Sequence, residues 1–297
     1  MTRRKLFTFA ILMLLGAHGC AKDIPPSEIF ENVKTAYTSM DTYKSQGTIT
    51  SNIDTDGMKI NTETSFSIML KKPNLYLISW TQERTSGMPQ SGAVWSDGAQ
   101  SYLYMGAMNA YSKMGSDELE LGGATGISGG AAFTIPSLFL SVFKEQHDPF
   151  SRLKDPQIEK TEKVGQENCY VISGSSFISK KETLWVSKTS YLIKKYDRSL
   201  EPPEGGRQMP EMTDEQLEEA IKGMGQEVTE ESKQKMREMM KRSKDVLKTA
   251  HMMKGSSTEL HAEISSPKLN TKDFQFALPA GTVLKESLFG GVLGGSK

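Results

Sequence analysis

The chain has 297 residues and equal numbers of basic and acidic side chains, 36 of each. Because this balance leaves no excess of positive charge to attract a polyanion, nucleic acid is not expected as a partner. The two cysteines are Cys20 and Cys169, and Cys20 follows an apolar leader, so no disulfide framework is available. We therefore expect a fold held by its hydrophobic core, with Cys169 as a small buried apolar residue.

Residues 1–19 have the layout of a secretory signal peptide. The basic residues Arg3–Lys5 precede an apolar run from Leu6 to Leu15, and small residues follow. That run is too short to span a bilayer as a helix of the mature protein. We therefore predict that the signal is removed during export.

Cys20 is the candidate site of lipid attachment. It stands directly after Ala17–Gly19 and resembles the lipobox cysteine of bacterial lipoproteins, which is diacylated and becomes the first residue after cleavage. Several acyl chains, such as palmitate, would anchor residues 20–26 stably as a tether. Ala21 stands where the inner-membrane retention rule requires Asp, so the rule predicts the outer membrane, facing the periplasm. The alternative is ordinary cleavage, which leaves Cys20 as a free thiol.

The mature chain is predicted to open with one helix and to continue as strands. Ser27 can cap a helix that has helically spaced apolar residues at Ile29, Phe30, Val33, Tyr37 and Met40. From Tyr43 the apolar period is two, and turn signals stand at Asp56-Gly57 and Asp97-Gly98. This pattern predicts an antiparallel meander without βαβ crossovers.

The middle of the chain is rich in glycine. Residues 115–133 predict a mobile loop, and Thr134 can cap a short apolar helix that starts at Pro136 and reaches Phe143. Strands resume at 158–164 and 168–174. They are followed by a hairpin at Glu182–Asp197, which turns at Ser187–Ser190. This hairpin carries bulky residues on both faces, so both faces are expected to be covered.

Residues 203–254 form a charged, methionine-rich insertion. Thr213–Gln216 is a capping box and Gly223 a helix stop, so two helices are predicted. The apolar stripe of the longer helix comprises Met236, Met239, Met240, Val246, Leu247, Ala250 and Met253. It is interpreted either as a face packed on the sheet or as a lid or partner surface. Strand pattern returns at 257–264.

Several blocks together resemble the periplasmic lipoprotein-carrier superfamily, the LolA-like outer-membrane lipoprotein-sorting proteins. The blocks are LKKPNLYLISW, VWSDGAQSYLYM, NAYSKM, LWVSKTSYLIKKYD and FQFALPAGTV, in the family order. The resemblance implies a mainly β fold with helices (α+β). Its core would be a curved, incomplete antiparallel β-barrel with a helical lid over an apolar cavity. The domain would occupy residues 27–290 and contain the helical insertion, and residues 291–297 would form a flexible tail.

The cavity implied by the resemblance would hold acyl chains. Its candidate wall residues are Ile60, Phe66, Ile68, Leu75, Leu77, Trp80, Trp95, Tyr102, Tyr104, Leu138, Phe139 and Trp185. Their bulk also suits an ordinary sheet core, and this alternative stays open. The candidate lid residues are Lys72, Met236, Met240 and Leu247. The carriers have Arg before the proline where this chain has Lys72-Pro73, and lysine lacks the planar fork of arginine.

Catalysis has little support in the sequence. Gly126–Gly130 matches G-x-S-x-G, but it lies in the glycine-rich region and not between a strand and a helix. His147, His251 and His261 are isolated, so no metal site, cofactor or enzymatic activity is predicted.

The sequence thus favours a lipid-anchored periplasmic protein that binds acyl chains of lipids or lipoproteins, for example in outer-membrane lipoprotein sorting or transfer. The alternative is a cell-envelope regulator, sensor or structural module that binds a protein partner through the same fold.

Overall fold

The structure is a computed structural model. It describes residues 24–55, 58–84, 88–140, 150, 153–176, 179–201, 212–223, 227–249, 253–286 and 288. The signal peptide, Cys20 and the predicted tail lie outside the described residues. Among the described residues there is one sheet of 12 strands, with five α-helices.

The strands are β1 Thr42–Thr55, β2 Met58–Lys71, β3 Leu75–Arg84, β4 Gln90–Ser96, β5 Ser101–Met105, β6 Ala110–Met114, β7 Lys154–Val164, β8 Glu167–Ser175, β9 Glu182–Ser187, β10 Ile193–Ser199, β11 Met253–Ser265 and β12 Val283–Leu284. The helices are α1 Pro26–Ser39, α2 Asp117–Ile127, α3 Pro136–Phe139, α4 Asp214–Gly223 and α5 Glu230–Thr249.

The sheet consists of two antiparallel meanders that meet in its middle. The strand order is β12-β6-β5-β4-β3-β2-β1-β11-β10-β9-β8-β7, so β1 pairs with β11 to join them. The short β12 adds to β6 in parallel at one edge, and β7 forms the other edge. Because β12 and β7 do not pair, the sheet is not closed. The predicted incomplete antiparallel barrel with helices is confirmed.

The sheet has two apolar faces. We call the side that packs against α1, α2 and α3 the inner face, and the opposite side the outer face. In β3, Tyr76, Ile78 and Trp80 point inward, whereas Leu77 joins a cluster on the outer face. The main core lies between the inner face and the three helices, and includes Ile29, Val33 and Tyr37 of α1.

The predicted loop at residues 115–133 is wrong for its first part, which forms α2. Its first turn carries the acidic residue Asp117, which suits a helix N-terminus. The Asp117 carboxylate also accepts a hydrogen bond of 2.9 Å from the Tyr76 hydroxyl, and Leu121 and Ala124 are fully buried. Glycine lowers helix propensity, but packing on the sheet supplies most of a helix's stability in a protein.

Two predicted helix caps are also wrong. Ser27 lies inside the first turn of α1, whose N-cap is Pro25 with no side-chain hydrogen bond. Thr134 is not the cap of α3, because Ile135 takes that position and the Thr134 hydroxyl binds Glu259 of β11 instead. Residues 141–149, including Phe143, lie outside the described residues.

The predicted hairpin and capping box are confirmed. β9 and β10 pair antiparallel around a turn that extends to Leu192, so Tyr191 and Leu192 belong to the turn and not to the strand. In α4 the Thr213 hydroxyl and the Gln216 side chain accept each other's backbone N–H at 3.3 and 3.0 Å.

Candidate functional site

The inner face is covered by short helices and not by a second sheet. α1, α2 and α3 have 14, 11 and 4 residues. They lie against buried side chains from both meanders, such as Ile78 of β3 and Leu184 of β9. This arrangement gives a broad apolar surface beneath a cover of small elements.

The structure brings together only part of the predicted cavity wall. Phe66, Ile68 and Trp80 of the sheet share the inner cluster with Leu138 and Phe139 of α3. These side chains are at most 8% exposed, so they are covered from solvent by one another and by the helices.

The other predicted cavity-wall residues lie outside the inner cluster. On the outer face, Leu77, Trp95, Tyr102 and Tyr104 form a second cluster, and Trp185 packs with Cys169 and Val171 in a third. Leu75 is partly exposed, and Ile60 is 41% exposed near the tip of the β1–β2 hairpin. The predicted wall is thus divided between two faces of the sheet.

The outer aromatic cluster is covered by the C-terminal segment. Trp95 stacks on Tyr102 with ring centroids 5.2 Å apart, and Phe276 lies 5.4 Å from both Trp95 and Tyr104. The chain then continues to β12, which pairs with β6. Burial of these rings holds the C-terminal segment on the outer face.

Lys72 connects the cover to the sheet. Its ammonium donates to the backbone carbonyls of Tyr37, at 3.2 Å, and of Thr38, both at the C-terminal end of α1. It also lies 5.0 Å from the ring centroid of Phe139 in α3. A cation is favourable at a helix C-terminus and over an aromatic ring. Partial burial lowers the pKa of Lys72, and nearby Asp41 opposes this shift.

A buried polar group that the sequence did not indicate lies on the inner face. Nε2 of His261 is 3.0 Å from Oε1 of Glu259, and Nδ1 is 3.3 Å from the Ser45 hydroxyl. The other Glu259 oxygen accepts a hydrogen bond of 2.7 Å from Thr134, between α2 and α3. The Phe66 ring packs edge-on to the imidazole at 5.3 Å. These contacts tie the cover to the middle of the sheet.

Four polar atoms of this region have no hydrogen-bond partner of good geometry among the described residues. They are the Tyr43 hydroxyl, Nε of Arg198, Oε1 of Glu259 and Nε2 of His261. Nε2 of His261 and Oε1 of Glu259 nevertheless lie 3.0 Å apart, and the Tyr43 hydroxyl lies near those of Ser45 and Tyr37. We call Tyr43, Arg198, Glu259 and His261 the inner polar patch.

The charge of the inner polar patch is set by Arg198 and two carboxylates. Burial works against the charged guanidinium, but Tyr196, Glu182 and Glu259 together raise the pKa of Arg198. The Glu182 carboxylate also accepts hydrogen bonds from Ser176 and Tyr196. The guanidinium of Arg198 thus lies near the carboxyl groups of both Glu182 and Glu259.

Two glycines lie next to the inner polar patch, on the side of the helical cover. Gly129 and Gly130 follow α2 with φ of +71° and +116°, which only glycine adopts easily. A Cβ on Gly129 would lie 3.6 Å from Ile49, and one on Gly130 would lie 3.8 Å from the Arg198 guanidinium. The turn after α2 therefore has no side chain between its backbone and the sheet at Gly129 and Gly130.

Glu120 is a second buried acid on the inner side. It is fully buried on α2, and both of its carboxyl oxygens lack a hydrogen bond of good geometry among the described residues, although Ser101 is near. Burial raises the pKa of Glu120 to about 9, and Asp117 adds to the shift. At neutral pH the side chain is an uncharged acid.

The outer face also carries a groove of about 410 Å³ across β7–β11. Its lining residues are Glu159, Lys160, Val171, Lys181, Thr183, Trp185, Asp197, Arg198, Ser199, Gly255, Ser256 and Thr258. Lys181 pairs with Glu159 at 2.7 Å and Lys160 with Glu162 at 2.6 Å. This polar lining differs from the apolar cavity that the sequence predicts.

The helical insertion has its own small core. Met236 of α5 packs against Leu217 and Ile221 of α4, with Met240 partly buried beside them. These methionines therefore contact α4, and the cluster is separate from the main core of the sheet. The side chain of Leu247 lies outside the described part of the chain.

The G-x-S-x-G match is not a nucleophile site. Ser128 is fully buried just after α2, where its hydroxyl donates to the Thr125 carbonyl and accepts from the Ala132 amide. In the part of the chain that the structure describes, no three His, Cys, Asp or Glu side chains are placed to hold a metal ion. No helix within the described ranges has the length and hydropathy needed to cross a membrane.

The solved structures to which the chain is similar include the following three proteins. A LolA superfamily protein from Nitrosomonas europaea is 11% identical, with a TM-score of 0.30 over 85% of this chain and 98% of that one. The lipoprotein LppX from Mycobacterium tuberculosis is 10% identical, with a TM-score of 0.39 over 83% of this chain and 100% of that one. LprF from Mycobacterium bovis is 7% identical, with a TM-score of 0.38 over 82% and 93%.

No family model and no curated protein matches the chain. As the sequence blocks predicted, the solved structures to which the chain is similar include a LolA superfamily protein.

Proposed function

We propose that the protein binds the acyl chains of lipids or lipoproteins between the inner face of the sheet and its helical cover. The observation that carries this proposal is the cover itself. A broad apolar face lies beneath three short helices and a glycine turn, which can separate from the sheet without breaking any strand pairing. Apolar surfaces enclosed in this way are the usual sites for hydrophobic ligands.

The energetics of an acyl chain fit such a site. Burial of about sixteen carbons gains roughly 10 kcal/mol relative to water, at about 0.8 kcal/mol per methylene. A bilayer offers nearly the same gain, so transfer between bilayer and protein is close to balanced. The contacts that hold the cover closed, a few kcal/mol in total, then set the direction and rate of exchange.

The test of acyl-chain binding uses the mature chain, residues 20–297, with Cys20→Ser so that no acyl chain is attached. We expect it to bind a neutral naphthylamine fluorophore that oleate displaces, and to release non-covalent lipids on solvent extraction. Fluorophore binding that oleate does not compete away would instead favour a filled core and a protein-binding role.

Lys72 provides a test of the cover. Lys72→Ala removes the contacts to α1 and Phe139, so lipid exchange measured by stopped flow should be several-fold faster, from a loss of about 1 kcal/mol. Lys71→Ala is the matched control, because among the described residues Lys71 donates to the Leu269 carbonyl, at 2.8 Å, and not to α1 or α3. Equal exchange rates in both variants would remove Lys72 from the gating role.

We further propose that Cys20 carries the lipid and holds the protein at the outer membrane, facing the periplasm. The leader and the cysteine support this location. In cells, Cys20→Ser should move the protein to the soluble periplasm or leave an unprocessed precursor. Normal processing with unchanged membrane fractionation would contradict lipid attachment.

A further inference from the structure

One end of the sheet carries exposed apolar side chains. Among the described residues, Met88 and Met58 are the most exposed large apolar residues, at 87% and 68%. They belong to a set of exposed large apolar side chains that we call the apolar rim. Its members are Met58, Ile60, Met88, Met108, Val283 and Leu284. Exposed apolar side chains that gather in one place indicate a surface that meets an apolar partner.

The strand pairing places the apolar rim at a single end of the first meander. Met58 and Ile60 begin β2. Met88 lies in the turn between β3 and β4, and Met108 lies in the turn between β5 and β6. Because neighbouring strands of a meander are antiparallel, these turns and the start of β2 lie at the same end of the sheet. β12 is parallel to β6, so it also starts at this end. The rim crosses from β2 to β12, which is about 24 Å at the usual strand spacing.

The N-terminus of α1 lies at the same end of the sheet. Antiparallel pairing from β11 to β7 places the start of β7 at the same end as the start of β11, which pairs with the end of β1 at Thr55. Just before β7, Phe150 stacks on Phe30 in the second turn of α1, with ring centroids 4.6 Å apart. The C-terminal end of α1 is bound by Lys72 of the β2–β3 turn, at the opposite end of the sheet. The chain therefore enters the domain at the end that carries the apolar rim.

We infer that the apolar rim contacts a phospholipid bilayer and inserts its side chains among the head groups. This inference concerns how the molecule is oriented at a membrane. It goes beyond acyl-chain binding and does not depend on it.

The position of the proposed anchor favours a bilayer as the occupant. Cys20 is four residues before Ile24, the first described residue, so the two are at most about 14 Å apart in a fully extended chain. Since α1 starts at the rim end, a lipid on Cys20 would hold this end close to the bilayer. The anchor and the exposed apolar side chains then face the same membrane.

The form of the rim also favours a fluid partner. Its side chains stand on separate turns along one line, whereas a folded protein partner buries a contiguous patch of complementary shape. A bilayer accepts separate apolar side chains, and its binding scales with the apolar area that they bury.

The charged residues beside the rim are nearly balanced. Exposed Lys59 and Lys254 both pair with Asp54 in the strand register, and exposed Lys285 precedes Glu286. A lysine stem can lie along apolar surface while its ammonium reaches a lipid phosphate. Because acids offset these lysines, apolar insertion is the main contribution, and binding should persist at high salt.

The experiment measures co-sedimentation of residues 20–297, with Cys20→Ser, with vesicles of phosphatidylethanolamine and a minor share of phosphatidylglycerol. We expect vesicle binding without the anchor. Met58→Gln combined with Met88→Gln replaces two exposed thioethers by polar groups of similar length, and the partition coefficient should fall about tenfold. The melting temperature should not fall, because both side chains are exposed in the free protein. Ala99→Gln is the matched control: it is exposed in the β4–β5 turn at the opposite end, and should bind like the parent.

A second readout shows which end meets the bilayer. Met88→Cys and Ala99→Cys are each labelled with an environment-sensitive fluorophore, and Cys169 does not compete for the label because it is fully buried. On vesicles, the emission of the label at position 88 should shift to the blue and be quenched by spin-labelled acyl chains. The label at position 99 should show neither change.

Three results would overturn the inference: no vesicle binding, binding that the double methionine variant leaves unchanged, or a label at position 99 that is quenched in place of the one at position 88. A dimer without vesicle binding, which the double variant converts to a monomer, would assign the rim to a second copy of the chain and overturn the bilayer. If the double variant does not unfold cooperatively, the labels decide alone. Displacement of the naphthylamine fluorophore by oleate tests acyl-chain binding separately, so either proposal can fail while the other stands.

Discussion

Both faces of the sheet carry apolar clusters, but these clusters are covered in different ways. Helices that follow or precede strands cover the inner face and bury side chains such as Ile78 almost completely. The outer face has local covers: the C-terminal segment over Trp95, and the ion-paired Lys195 over the ring of Trp185, at 4.0 Å. The difference shows that bulky residues on both sides of a strand indicate two covers, not one large cavity.

The largest expected effect compares adjacent residues of β3 that point to opposite faces. Ile78→Ala should lower the free energy of unfolding by about 2–5 kcal/mol, because Ile78 is fully buried in the inner core. Leu77→Ala, on the partly exposed outer face, should cost about 1–2 kcal/mol. Urea titrations of both variants measure the difference. Equal losses of unfolding free energy in the two variants would mean that the two faces contribute equally to stability.

The second prediction concerns pH and the inner face. Burial raises the pKa of Glu120 to about 9 from an ordinary value of 4.5, so the folded state keeps a proton that the unfolded state releases. Its stabilising effect is complete below the ordinary pKa and is lost as pH rises toward the folded pKa. Between pH 6 and pH 7.5 stability should fall by about 2 kcal/mol, at about 1.4 kcal/mol per unit.

Glu120→Gln cannot ionise, so this part of the pH dependence should disappear. Glu118→Gln, on the same helix and partly exposed, is the control and should keep it. Thermal unfolding of the three proteins across the pH range provides the measurement. A Glu120→Gln profile parallel to the wild type would show that Glu120 is not a buried neutral acid.

The smallest effect is expected at the cover of the outer face. Phe276→Ala should cost about 1–2 kcal/mol and loosen the C-terminal segment locally. Hydrogen exchange should accelerate at the amides of Val283 and Lys285, which donate to carbonyls at β6. Gln275→Ala, an exposed neighbour, should change neither property. Faster exchange throughout the inner face would mean that the two covers are coupled.

The sequence alone was enough to predict the sheet, the turn at Asp97-Gly98 and the two helices α4 and α5, because period-two patterns and caps such as Thr213–Gln216 are local. The predicted turn at Asp56-Gly57 lies outside the described residues. α2 was missed because its stability comes from contacts with β3 and β4–β6, which outweigh its glycines. Trp80 and Trp95 were both assigned to the cavity wall. Trp80 lies two residues after Ile78 and therefore on the same face of β3, whereas Trp95 pairs with Leu77 and therefore lies on the other face of the sheet.

The inner polar patch could not be predicted from local pattern. Arg198 and Glu259 are far apart in the chain and become neighbours through the pairing of β10 with β11, whereas His261 meets Ser45 through the pairing of β1 with β11. The one available signal was the presence of Glu259 and His261 two residues apart in the same strand, which places two polar side chains on one face.

The pairing of β1 with β11 also determines when the strands of the sheet can all be paired during synthesis. β1 is synthesised early and β11 near the end of the chain. The edge of β1 that pairs with β11 therefore stays open until residue 265 has been synthesised. β6 likewise waits for β12. Until then the half-finished sheet presents two open edges, which are templates for wrong pairing. Protection of these edges by a holding chaperone, or rapid arrival of the C-terminal third, becomes a requirement for productive folding.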